Sequence, residues 1–281
     1  MKLLLEPAEL AARLGDVAVF DCRFSLSDFD AGRRDWLAAH IPSAFHLDME
    51  TDLAGDKNGL NGRHPLPSRQ ALQRSLRGCG VGAGQAIVLY DDNRLAGAAR
   101  AWWLLSYYGI DGVALLNGGF AAWRALDLPL ESGERTRPGG GDVRLGDGDP
   151  RMLATLAQVR AASASGEPQL IDSREPPRFR GDEEPIDPVA GRIPKARNLP
   201  WQGVTAGDGT VLPAAAQAGR WHGFAAEPAP ILYCGSGVTA SVNALSRVLA
   251  GLEPARLYAG SFSEWCADPA NPVASGDPDK D

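Results

Sequence analysis

At 281 residues, 44% apolar and 22% charged, the chain has the make-up of a globular protein long enough for two ordinary domains. Its net charge of −7 disfavours a nucleic-acid partner, which calls for a basic face. The opening "MKLLLEPAEL" carries too short an apolar run for an export signal, and no later stretch could span a bilayer; a cytoplasmic chain without a membrane partner is expected.

In chain order, "VAVF" (17–20) reads as a buried strand and "SRQALQRSLRGCG" (68–80) as a helix with Ser68 as N-cap and glycines closing it. "AIVLY" (86–90) is a second strand, "AGAARAWWLLSYYG" (96–109) a second helix, and "VALL" (113–116) a third strand. Trp102, Trp103, Tyr107 and Tyr108 on that helix read as packing residues. The Gly-rich, charged stretch "ESGERTRPGGGDVRLGDGDP" reads as a linker. Beyond it come a helix at 149–162, strands "QLID" (169–172) and "PILY" (230–233), a helix "TASVNALSRVLAG" (239–251) and a strand "ARLY" (255–258). The tail from residue 271 is polar and reads as loose.

These elements belong to a repeat. "VFDCRF" (19–24) returns as "LIDSRE" (170–175), and "HIPSA" (40–44) as "RIPKA" (192–196). "IVLYDDN" (87–93) returns as "PILYCGS" (230–236), and "GGFAAW" (118–123) as "GSFSEW" (260–265). Four matches in one order predict two copies of one domain, over 1–133 and 150–281, joined by a linker at 134–149. Strands alternating with helices predict an α/β fold in each copy, a mostly parallel sheet flanked by helices. Ligands of such sheets sit at the carboxyl ends of strands.

Cys234 occupies that position, directly after "PILY". In "CGSGVT", Gly235 and Gly237 permit unusual backbone angles, Ser236 and Thr239 add hydroxyls, and Thr239 or Ser241 can cap the next helix. Main-chain N–H groups gathered there bind anions and favour a thiolate, so the loop reads as a nucleophile in a cradle that also accepts a second anionic sulfur. The other reading is a small buried hydrophobe at a turn. The first copy argues against it, because its loop "YDDNRLAG" has Asp91 where Cys234 stands. A phosphatase loop would require arginine six residues after the cysteine, and that residue is Ala240.

Cys22, Cys79 and Cys266 lack such a loop and read as unreactive; four scattered cysteines are no disulfide framework, and four histidines show no metal-ligand spacing. Neither a metal nor another cofactor is expected. Asp182–Glu184 reads as a solvated acidic loop, with Arg174 and Arg180 as solvated arginines. Asp172 reads as a brace for the cysteine loop, and His40, echoed by Arg192, as a turn residue.

The two "DxR" strand ends, the "HIPxA" and "RIPxA" segments, the cysteine loop and the two "GxFxxW" endings resemble the tandem-domain sulfurtransferases of the rhodanese superfamily, over essentially the whole chain. The resemblance implies two tandem rhodanese-like domains, the first inactive and the second catalytic. "CGSGVT" is similar to the loop of 3-mercaptopyruvate sulfurtransferases, whereas thiosulfate enzymes more often carry a basic loop. It implies that Cys234 takes sulfur from a small-molecule donor as a persulfide and passes it to cyanide or a thiol, a thioredoxin-like protein included. On the same resemblance, Arg178 in "RFRG" binds the donor, with Gly235, Gly237, Val238 and Thr239 of the loop. Asp48 and His64 of the first copy would act with Ser236 as a proton relay. Two departures stand out: Ile186 occupies a place where the mercaptopyruvate enzymes carry arginine, and "RIPKA" has Arg192 and Lys195 where a histidine and a glycine are usual. Thiosulfate is the second donor that the resemblance allows, and a non-catalytic binding module is the remaining alternative.

Overall fold

The computed structural model describes residues 1–224 and 228–277. The last four residues of the tail therefore lie outside the described residues. By its contacts the chain falls into two compact units. The first comprises Met1–Gly55, Leu66–Asp149 and Thr205–Val211; the second comprises Asp56–Pro65, Pro150–Val204 and Leu212–Asp281. Each unit thus takes one short segment from the sequence of the other copy.

The first unit holds a parallel sheet of β1 (Leu4–Leu5), β2 (Ala18–Asp21), β3 (Phe45–His46), β4 (Ile87–Tyr90) and β5 (Val113–Leu116), in the order β1-β5-β4-β2-β3. The second holds β6 (Leu170–Asp172), β7 (Arg197–Asn198), β8 (Ile231–Tyr233) and β9 (Arg256–Leu257), in the order β7-β6-β8-β9, again parallel. This is the α/β architecture expected. The central strands are buried and largely apolar, because helices cover both faces; the charged exceptions are Asp21 and Asp172 at the carboxyl ends of β2 and β6. Val88 and Tyr90 pack with Leu116 and Trp123 in one core; Ile231 and Tyr233 pack with Phe262 and Trp265 in the other. Each side chain so buried contributes about 1.5–3 kcal/mol of transfer free energy.

The repeated motifs have repeated jobs. Arg23 forks onto Asp21, with Nη2 to Oδ2 at 2.6 Å, and lies 4.2 Å over the Phe120 ring. Arg174 forks onto Asp172, with Nη2 to Oδ2 at 2.7 Å, and lies 4.1 Å over Phe262. The tyrosine ending the central strand accepts the N–H of the isoleucine in "HIPSA" or "RIPKA", each at 3.2 Å. Within those segments Ser43 and Lys195 both have positive φ, 67° and 61°. A glycine at 195 would suit that angle at lower cost.

Of the local expectations, the Ser68 cap holds and several others change. Ser68 caps its helix, Arg69–Gly78, by accepting the Ala71 N–H. The helix expected at 149–162 begins only at Leu156, where Thr155 and Gln158 form a capping box. The preceding backbone is occupied in the sheet, exchanging hydrogen bonds through Met152 and Ala154 with Leu257. The linker rests on the first unit, with Val143 and Leu145 buried and Val143 N–H donating to Val81. The tail is pinned by a bridge between Ala274 and Arg192. Arg174 is no solvated arginine, being 1% exposed, and Glu184 is paired with it and with Arg178. Among the described residues no helix is long and apolar enough to cross a membrane.

Candidate active site

β8 delivers Cys234 into a loop stitched to the "GSFSEW" segment. The Cys234 N–H donates to Ser261 Oγ at 3.1 Å; the Cys234 and Gly235 carbonyls accept from the N–H groups of Phe262 and Ser263 at 3.0 and 2.9 Å. Cys234 is 2% exposed, and the Gly237 N–H points at its Sγ from 3.1 Å. That amide sits where it stabilises a thiolate. Gly237 has φ +78°, and a Cβ there would lie 2.4 Å from the Ala259 carbonyl, so this position requires glycine. Gly235 has no such angle; its Cβ would instead meet Arg63 Nη2 at 2.7 Å.

The helix after the loop, Ala240–Leu249, is capped differently from the expectation. Thr239 is the N-cap residue but makes no side-chain cap bond, and Ser241 Oγ donates backwards to the Gly237 carbonyl at 3.2 Å. Ser241 therefore ties the helix to the turn instead of capping it. Val238 of the loop is buried.

The first unit supplies a comparison. Asp91, in the place of Cys234, accepts the N–H groups of Asn93, Leu95 and Ala98, all at 3.0 Å. That loop is an amide cradle already filled by its own carboxylate. Burial pushes the Asp91 carboxyl up to about 6 although the three amides oppose it.

Beside Cys234 the second unit brings together His64 and Ser236, whose Nδ1 and Oγ lie 2.7 Å apart, both side chains buried. His64 reaches this place because the segment Asp56–Pro65 belongs to the second unit. Asp48, the third member expected, lies in the first unit. Its Oδ1 accepts the N–H groups of Glu50 and Thr51 at 2.9 Å and the Thr51 hydroxyl at 3.1 Å, capping the turn after β3.

Arg178 lies on the short helix Pro176–Arg180 and is held by Glu184, with Nη2 to Oε1 at 2.7 Å, and by Asp187 at 3.1 Å. Its Nη2 and Nη1 are 3.5 and 3.7 Å from the point where a Gly235 Cβ would stand. Ile186 is 44% exposed. Sequence reasoning missed two members of this cluster. One is Asp187, next to Ile186. The other is Arg63, the immediate neighbour of His64 in "GRHPLP", where that adjacency was the available signal. Burial raises the thiols of Cys22, Cys79 and Cys266 above the ordinary cysteine range, Cys79 to about 11. Among the described residues no group of three or more His, Cys, Asp or Glu converges to hold a metal ion.

A parallel α/β domain present twice, with a cysteine cradled at the end of a central strand of one copy, defines the class. The model of the rhodanese-like domain matches residues 6–126 and 155–268, and the chain belongs to that family. A protein of Pseudomonas aeruginosa named "Probable 3-mercaptopyruvate sulfurtransferase" is 45% identical over 98% of both chains. A protein of Mycobacterium tuberculosis named "Putative thiosulfate sulfurtransferase SseB" is 39% identical, again over 98% of both. The solved structure of 3-mercaptopyruvate sulfurtransferase from Leishmania major superposes with a TM-score of 0.83 at 30% identity, covering 94% of this chain and 74% of that one.

Proposed function

We propose that the chain moves sulfur from 3-mercaptopyruvate, through a persulfide on Cys234, to a thiol or to cyanide. It is a sulfurtransferase of the rhodanese family and needs no cofactor for this chemistry. The Cys234 thiolate attacks the donor sulfur; an S–S bond forms, the C–S bond breaks, and its electron pair leaves as the enolate of pyruvate. The enolate takes up one proton at carbon to give pyruvate, and the thiol proton of the donor balances it. A thiolate or cyanide then attacks the outer sulfur, and Cys234 departs as thiolate. The Gly237 N–H stabilises the charge on Cys234 at the start and end of the cycle.

The observation carrying the choice of donor is the 2.7 Å hydrogen bond between His64 and Ser236 of the cysteine loop. An enolate leaving group needs a proton relay; sulfite, leaving from thiosulfate, does not. In this reading Ser236 and His64 move the proton, Asp48 of the first unit is spent on its own turn, and Arg178 with the loop from Gly235 through Val238 to Thr239 holds the donor. Four unpaired cysteines suit a reducing compartment, and we place the reaction in the cytoplasm, with a thioredoxin-like dithiol as one acceptor. The exposed Ile186 and the name of the mycobacterial relative favour thiosulfate as the second reading.

Steady-state rates with the two donors decide between them. Mercaptopyruvate is expected to exceed thiosulfate in kcat/KM by at least about 10²-fold, which is the scale of general acid–base catalysis. His64→Ala should lower kcat with mercaptopyruvate by roughly 10²–10⁴-fold and change turnover of thiosulfate by less than about threefold. Equal or better turnover of thiosulfate by the wild type overturns the choice of donor.

A further inference from the structure

Arg63 has no part in the proton relay, yet its position is heavily constrained. Its N–H donates to Ser263 Oγ at 3.0 Å, and Ser263 N–H in turn donates to the Gly235 carbonyl. The preceding Gly62, at φ +81°, packs so closely on Gly260 that a Cβ would stand 2.6 Å from its carbonyl oxygen. The following residue is His64, bonded to Ser236. The backbone carrying Arg63 is thus fixed against the cysteine loop on both sides.

The side chain converges with Arg178 on one point above Gly235, Arg63 Nη2 at 2.7 Å from it and the two Arg178 terminal nitrogens at 3.5 and 3.7 Å. Asp187 joins them, its Oδ1 paired with Arg63 Nη1 and its Oδ2 with Arg178 Nη2. That arrangement leaves Arg63 Nη2 and Arg178 Nη1 with no hydrogen-bond partner among the described residues, both next to the residue that follows Cys234. Burial weakens the hold of Arg63 on its proton, Cys234 strengthens it, and the neighbouring Arg178 weakens it again. An anion bound between the guanidinium groups would relieve that repulsion.

We propose that Arg63 is a donor-binding residue, which with Arg178 grips the carboxylate of the sulfur donor from two sides over Gly235. This rests on 3-mercaptopyruvate being the donor. Two forks of fixed geometry suit the two oxygens of a planar carboxylate, and place the mercaptomethyl carbon toward Cys234. Glycine at 235 leaves the room that this grip requires.

The test compares two donors in single-turnover formation of the Cys234 persulfide, followed by mass. The first is 3-mercaptopyruvate; the second is mercaptoacetone, which keeps the mercaptomethyl ketone but carries a methyl group in place of the carboxylate. Arg63→Gln is expected to lower the efficiency with mercaptopyruvate by roughly 10- to 100-fold, the range for a lost charge-assisted contact, chiefly by raising the half-saturating concentration. Efficiency with mercaptoacetone should stay within about twofold of wild type. Arg63→Lys keeps the charge and the pairing with Asp187 but loses the fork; it should show a smaller loss, still confined to mercaptopyruvate. It serves the same comparison should Arg63→Gln fail to fold. An equal fall with both donors, or none with either, overturns the proposal. The wild-type preference between mercaptopyruvate and thiosulfate tests the donor reading, whereas the variant's selectivity between charged and uncharged donor tests Arg63, so the two fail separately.

Discussion

Cys234→Ser is expected to abolish sulfur transfer, lowering kcat/KM with either donor by at least about 10⁴-fold, because a hydroxyl can neither ionise near neutral pH nor carry a persulfide. The replacement should leave the fold intact. Cys234 is buried among polar partners, with the Gly237 N–H at 3.1 Å from Sγ, and a serine oxygen can accept the same bond. The readout is intact mass after donor treatment: wild type gains one sulfur atom, and the variant gains none. Sulfur transfer surviving in Cys234→Ser would sink the whole catalytic reading. Failure of wild type to take up sulfur would leave a binding module.

The second large effect concerns stability. Asp172 and Arg174 are 0% and 1% exposed, and Arg174 spreads its donors over Asp172, the Gly191 carbonyl at 2.6 Å and Glu184 at 3.1 Å. Asp172→Ala leaves that guanidinium buried without its main counter-charge. Breaking a buried pair from one side costs about 3–5 kcal/mol, so the melting midpoint should fall by on the order of 10 °C. Asp21→Ala, which breaks the equivalent pair with Arg23 in the first unit, should cost a similar amount. Only Asp172→Ala should also weaken donor binding, because Arg174 shares Glu184 with Arg178. Calorimetry with donor titration below the transition separates the two. A change below about 1 kcal/mol for either variant would show that burial of these pairs does not matter as argued.

Arg174 and the acidic run differ most from what their local sequence suggests, and the reason is physical. A run such as "GDEEPID" looks solvated when taken alone, since acidic side chains are rarely buried without partners. Here the partners are Arg174 and Arg178 on a neighbouring strand end and short helix, which hold Glu184 and Asp187 inward. The helix that the periodicity predicts over 149–162 starts later for a related reason: the backbone of 152–154 is used by the sheet, and helical periodicity carries no record of that. At position 186 the sequence showed a missing cation. In the arrangement proposed here, Arg63 supplies one from more than a hundred residues upstream.

By itself the sequence determined the twofold repeat, the parallel α/β architecture, and Cys234 at the end of a central strand. Each is written in contiguous residues, where apolar period, capping and a strand-to-helix loop are local matters. Only the tertiary structure decided what surrounds the cysteine. Arg63 and His64 meet Ser263 and Ser236 across 200 and 172 residues of chain. The segment Asp56–Pro65 belongs with the second unit although it lies inside the first copy. Such meetings depend on packing and on the satisfaction of buried polar groups, which no short-range pattern records.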